Sequence, residues 1–167
     1  MAQQPETAGQ LLTTVSAYRS LVVASRDWEA FTFASKAAGP ELLDSIVVER
    51  TIDEISHFHF CFSIGRFQGY LASAICAVIW PPALLAGALA GSVGGRLVTE
   101  VRRGLSPDAI KDLGMVLDRG PFLLIAIGDP LGIRANEFDS AVDVATVPLD
   151  SNLQALRSAH EQDDEED

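Results

Sequence analysis

Two cysteines, Cys61 and Cys76, are all that the 167 residues contain. A disulfide framework is therefore excluded, and reduced thiols in a cytoplasmic protein are the expectation. Residues 1–9 offer no basic region followed by an apolar run, so no secretory signal is expected and any membrane should be met from the inside. The 12 Lys and Arg residues, against 23 Asp and Glu, form no extended basic patch, which argues against nucleic-acid binding. Charge is absent altogether from one stretch: between Arg66 and Arg96, residues 67–95 contain no Asp, Glu, Lys, Arg or His.

Catalytic templates are missing too. There is no G-x-x-x-x-G-K-[ST], no G-x-G-x-x-G after a strand and no G-x-S-x-G. Asp53 with Glu54 reads as turn polarity, and Asp108 with Asp112 as the acidic first half of a helix. Asp108 would also repel an anion from that helix start. The residues therefore call for no enzyme activity and no cofactor.

What is present is a spacing. Gly65, Gly69, Ser73 and Ala77 recur every four residues before Trp80-Pro81-Pro82, and Ala83, Gly87, Gly91 and Gly95 do so after it. At helical period such residues share one face, and their small size lets two backbones approach closely, as in membrane-helix packing. An unbroken helix of this length would measure about 43 Å, enough to cross a bilayer core of about 30 Å. Pro81 and Pro82 argue instead for a turn, giving arms near 66–79 and 83–98 of about 20 Å each, too short to span singly. Arg66, Arg96, Arg102 and Arg103, against Glu100, place an excess of cations at the open end, the cytoplasmic side of a re-entrant or monotopic hairpin. A soluble self-associating hairpin and a kinked single span are the alternatives.

The remaining chain reads as α+β. Residues 1–17 form an arm or short helix, with Leu11, Leu12 and Val15 on one face of Gln10–Tyr18. Leu21-Val22-Val23-Ala24 reads as a first strand, and Asp27 as the N-cap of a helix through Lys36 with Trp28, Phe31 and Ser35 on one face. Ser45–Glu49 and Ile55–Phe62 read as paired strands. Ser106-Pro107-Asp108 is a helix start, with hydroxyl cap, proline at the first position and acid in the first turn, and the helix runs to Leu117. Asp118–Pro121 turns the chain into Phe122–Ile127, whose continuous apolar character predicts a central strand. Asp129-Pro130 opens a short connection, Val142–Val147 is a last strand, and Leu153–Glu161 a frayed helix. Six of the last seven residues are acidic, carrying six of the eleven net negative charges, which predicts a solvated tail able to meet a protein partner.

This order suits a ferredoxin-like sandwich with helices on one face, one α+β domain over 18–150 interrupted by the hairpin at 65–98 and followed by a helix and acidic tail at 151–167. The strand near 20–25, the strand pair near 44–62, the Gly/Ala-rich insert, Ser106-Pro107-Asp108-Ala109-Ile110-Lys111-Asp112-Leu113-Gly114 and the Pro121–Ile127 strand together resemble a bacterial family of unknown function. Its members carry a glycine-zipper hairpin between ferredoxin-like halves and are described as membrane-associated or stress-related. The resemblance covers residues 18–150 and implies no catalytic residues. The aromatic, His-rich second strand and the acidic tail depart from it.

His57-Phe58-His59-Phe60-Cys61 is the most chemically pointed run. At a period of two, His57, His59 and Cys61 share a strand face and have donor types suited to Zn²⁺. No fourth ligand is marked by spacing, and an amphipathic strand explains the pattern as well. The expectation is a non-enzymatic, homo-oligomeric scaffold or regulator, cytoplasmic and peripheral or monotopic at the inner face of the cell membrane. A soluble adaptor assembled through the hairpin is the alternative, and a metal-binding strand a further one.

Overall fold

The computed structural model describes residues 10–38, 42–49, 59–65, 67, 69–79, 95–134 and 138–165, with the backbone alone at 35–38, 42, 59–65 and 134. In chain order the elements are β1 (Leu11–Tyr18), α1 (Leu21–Ala38), β2 (Leu42–Glu49), β3 (His59–Gly65), α2 (Tyr70–Ile79), α3 (Gly95–Gly104), α4 (Pro107–Leu117), β4 (Phe122–Gly128), α5 (Pro130–Arg134), β5 (Asp143–Leu149) and α6 (Leu153–Glu165). The strands form one antiparallel sheet in the order β3-β2-β4-β1-β5, so the chain is α+β.

β4 explains the layering. Its sequence FLLIAIG has no polar alternation, so both sides of the strand need cover. On one side Leu124 and Ala126 pack with Leu12, Tyr18 and Val47 beneath Ala24 and Phe31 of α1 and Ile133 of α5. On the other, Leu123, Ile125 and Ile127 join Val15, Ile46 and Leu149 beneath α2 and α4. α3 packs on α2, and α6 packs on α3, forming an outer tier.

This corrects the ferredoxin-like expectation in two respects. Helices cover both faces rather than one. β1, α1 and β2 do form a split β-α-β unit, but β4 fills the gap between the two strands, whereas β3, the strand following β2 in the chain, pairs only with β2 and lies at the edge. The ferredoxin arrangement would put that following strand in the gap.

Two local assignments are also corrected. Gln10–Tyr18 is not a helix: all eight residues of β1 are buried, and the strand is hydrogen-bonded on both sides, to β4 and β5. Leu11, Leu12 and Val15 fit a helical face, but pairing on both edges and burial on both faces favour the extended form of the β-branched Thr13-Thr14-Val15 run. Leu21–Ala24 is not a strand but the first turn of α1, where Ser20 Oγ accepts the Val22 N–H at 3.2 Å. A four-residue apolar run does not distinguish the two states. Asp27 consequently lies inside α1, where its Oδ2 accepts the Tyr18 hydroxyl at 2.8 Å. Trp28 Nε1 reaches across to Ser45 Oγ at 3.0 Å, tying α1 to β2.

The later elements follow the sequence closely. Ser106 caps α4 with its Oγ accepting the Ala109 N–H at 3.0 Å, Pro107 occupies the first helical position, and the helix ends at Leu117. β4 is central, α5 follows Asp129, and β5 runs two residues past Val147. β5 forms the other edge. Pro148 has no N–H to give and, as a proline in a paired strand, turns its nitrogen to the free side. Val144 has the same parity, and its N–H is held by Asp143 Oδ1 at 3.0 Å.

Gly120 is required by close approach to backbone. A Cβ on Gly120, in the turn before β4, would lie on the backbone of Tyr18, 2.9 Å from its carbonyl carbon and 3.1 Å from its nitrogen, and closer still to its oxygen. At Gly95 the same addition meets nothing within 4 Å. Gly120→Ala should thus destabilise the fold by about 1–3 kcal/mol, while Gly95→Ala, a better helix former in open space, should not. Urea unfolding of the two variants checks this, and equal midpoints would contradict the packing.

Candidate functional site

The uncharged stretch enters the structure through α2, and the way α2 is held defines the site. Asp44 interrupts the apolar run of β2 and is completely buried. The extra residue Leu43, between Leu42 paired with Gly128 and Asp44 paired with Ile127, makes a bulge at this position. The Asp44 carboxylate accepts the Gly69 N–H on Oδ1 at 2.8 Å and the Ala72 N–H on Oδ2 at 2.9 Å. It therefore caps α2 from a neighbouring strand, where the helix's free N–H groups and positive dipole end favour an anion. Gly69 makes the turn possible, since its φ of 91° lies in the left-handed region open to glycine.

Burial pushes the Asp44 carboxyl up from 3.8 to about 6, with the N–H groups of Ala72, Gly69, Leu71 and Ser45 acting in the opposite direction. The folded chain then binds this proton more tightly than the unfolded chain. Stability should fall as pH rises through that interval, by about 3 kcal/mol at most.

Once α2 is anchored, eight of its ten residues are buried: Leu71, Ala72, Ser73, Ala74, Ile75, Cys76, Val78 and Ile79. Burial also raises the Cys76 thiol pKa, which keeps it protonated and poorly nucleophilic. Ser73 is thus inside the protein's own core and Ala77 is packed against it, while Tyr70 is 39% exposed. The helical series of small residues does not extend back to Gly65, which ends β3 opposite Asp44, nor does Gly69 lie within α2. Trp80, Pro81, Pro82, Gly87 and Gly91 lie outside the described residues, as does Arg66. Gly95 is the exposed first residue of α3, a helix that runs through to Gly104 rather than ending near 98.

The expected cluster of cations is spread out accordingly. Arg96 is in the first turn of α3, and Arg102 and Arg103 are in its last, about 10 Å further along at the helical rise. All three are exposed, and Arg103 Nη1 lies 3.9 Å from Glu100 Oε1. Arg96 and Arg103 line an open groove of about 700 Å³ between α3 and α6, together with Thr99, Glu100, Ser158 and Gln162. The groove mixes both charge signs.

The acidic end is not simply a solvated tail. α6 continues to Glu165, and the Asp163 carboxylate accepts the N–H groups of Arg96 and Leu97, each at 3.0 Å, at the start of α3. Gln162 Oε1 accepts from Arg96 Nη1 at 3.0 Å. One turn earlier, His160 lies against the rings of Phe67 and Tyr70, at centroid distances of 5.6 and 5.1 Å, with Nε2 3.8 Å from Asp164 Oδ2. Two carboxylates thus hold the two helices that flank 80–94: Asp44 the head of α2, and Asp163 the head of α3.

The metal alternative falls on β3, whose backbone pairing shifts part-way along. Val47 pairs with Phe62 but Val48 with Phe60, so Cys61 is an extra residue in the backbone ladder of β3. His57 lies outside the described residues. Among the described residues no group of three His, Cys, Asp or Glu is placed to hold a metal ion.

Sequence reasoning missed both Asp44 and Asp163. Asp44, set between Leu42-Leu43 and Ile46-Val47-Val48, is a readable signal of a buried acceptor with a fixed task, whereas nothing about Asp163 distinguishes it from the acids beside it.

Asp44→Ala should cost about 1–3 kcal/mol by stranding two buried N–H groups. Asp44→Asn should gain on the wild type between about pH 4 and pH 6, by up to about 3 kcal/mol; denaturant titrations that run parallel across that range would rule out the buried ionisation. Asp163→Ala should cost about 1 kcal/mol and speed amide exchange at Arg96 and Leu97 while leaving Gly69 and Ala72 protected. Comparison with known proteins returns no matching family model, no matching curated protein and no matching solved structure.

Proposed function

We propose that this protein is a non-enzymatic assembly protein whose copies associate through the uncharged segment 80–94, carried between α2 and α3. The observation that supports this reading is the burial of α2. Its small residues serve the protein's own core, so contact with a neighbour falls to the segment that follows. That segment, WPPALLAGALAGSVG, contains no charged residue and retains Ala83, Gly87 and Gly91 at four-residue spacing. In this reading α2, Tyr70–Ile79, is the first arm of a helical hairpin mounted on the cytoplasmic α+β body.

A second reading, docking on a membrane, is favoured by the exposed Arg96, Arg102 and Arg103 of α3, the helix that follows the segment in the chain. Among the described residues no helix is long and apolar enough to cross a membrane. As a straight helix, 80–94 would reach about 22 Å against a hydrocarbon core of about 30 Å, so the contact would be monotopic. Membership of the membrane-associated, stress-related family that the sequence resembles belongs to this second reading.

Light scattering on the purified full-length chain tests the first reading. The wild type should form a defined oligomer, and Gly91→Leu, which fills the close-packing position, should weaken association at least tenfold. A monomer at every concentration, or an unchanged oligomer in Gly91→Leu, would end that proposal. For the second, the chain should float with vesicles containing anionic lipid. Arg102→Glu with Arg103→Glu should weaken this by about 1 kcal/mol or more per residue; flotation equal to wild type would remove the membrane from the account.

A further inference from the structure

We draw no further inference here: the strongest candidate, the first turn of α3 where the Arg96 and Leu97 N–H groups hold the Asp163 carboxylate of α6, is a helix terminus filled by the chain's own acidic residue, and nothing in the structure points to a ligand that would replace it.

Discussion

The contact between the Asp44 carboxylate and the head of α2 is the constraint on which the α2 and α4 side of the sheet depends. A carboxylate out of water is tolerated only where donors surround it. Here the donors are backbone N–H groups. The bulge in β2 and the left-handed turn at Gly69 bring the two partners together. With its head fixed above the sheet, α2 lays an almost wholly apolar helix across β2 and β4. The arrangement exchanges some stability near neutral pH for a defined position and direction of one helix.

α3 and α6 repeat the device at the surface. They run antiparallel: Ser151 Oγ donates to Glu100 Oε2 at 3.1 Å, the Asp150 N–H binds the Gly104 carbonyl at 2.8 Å, and the far end of α6 meets the start of α3. Acids at a helix C-terminus oppose its dipole, but the same acids complement the positive end of a neighbouring helix. Asp163 is in that position. The outer pair is therefore held by polar contacts at both ends and a narrow seam at Leu156 and Ala159, the two buried residues of α6.

What could be read from the sequence was local chemistry with a single meaning. Ser106-Pro107-Asp108 has one structural use, and Phe122–Ile127, a short apolar run set off by Gly120-Pro121 and Gly128, fits a strand covered on both sides. The chain before residue 25 was misread because Leu11–Tyr18 and Leu21–Ala24 are short runs that suit either period, and the outcome was set by partners more than a hundred residues away. Strand order escaped for the same reason: neither β3 nor β4 carries a residue that says which will lie beside β1. At the candidate site the missing charge from Phe67 to Gly95 was plain, yet its division into a buried helix and a remainder was not. That division depends on Asp44, which precedes the stretch by more than twenty residues.

Among the described strands, β5 is paired on one side only, to β1. With Pro148 lacking a donor and the Val144 amide already engaged by Asp143, Thr146 is left as the sole outward N–H between them. A strand arriving there would find too few rungs to zip against. Runaway edge-to-edge pairing of sheets, the hazard of any exposed strand margin, is thereby checked on this flank.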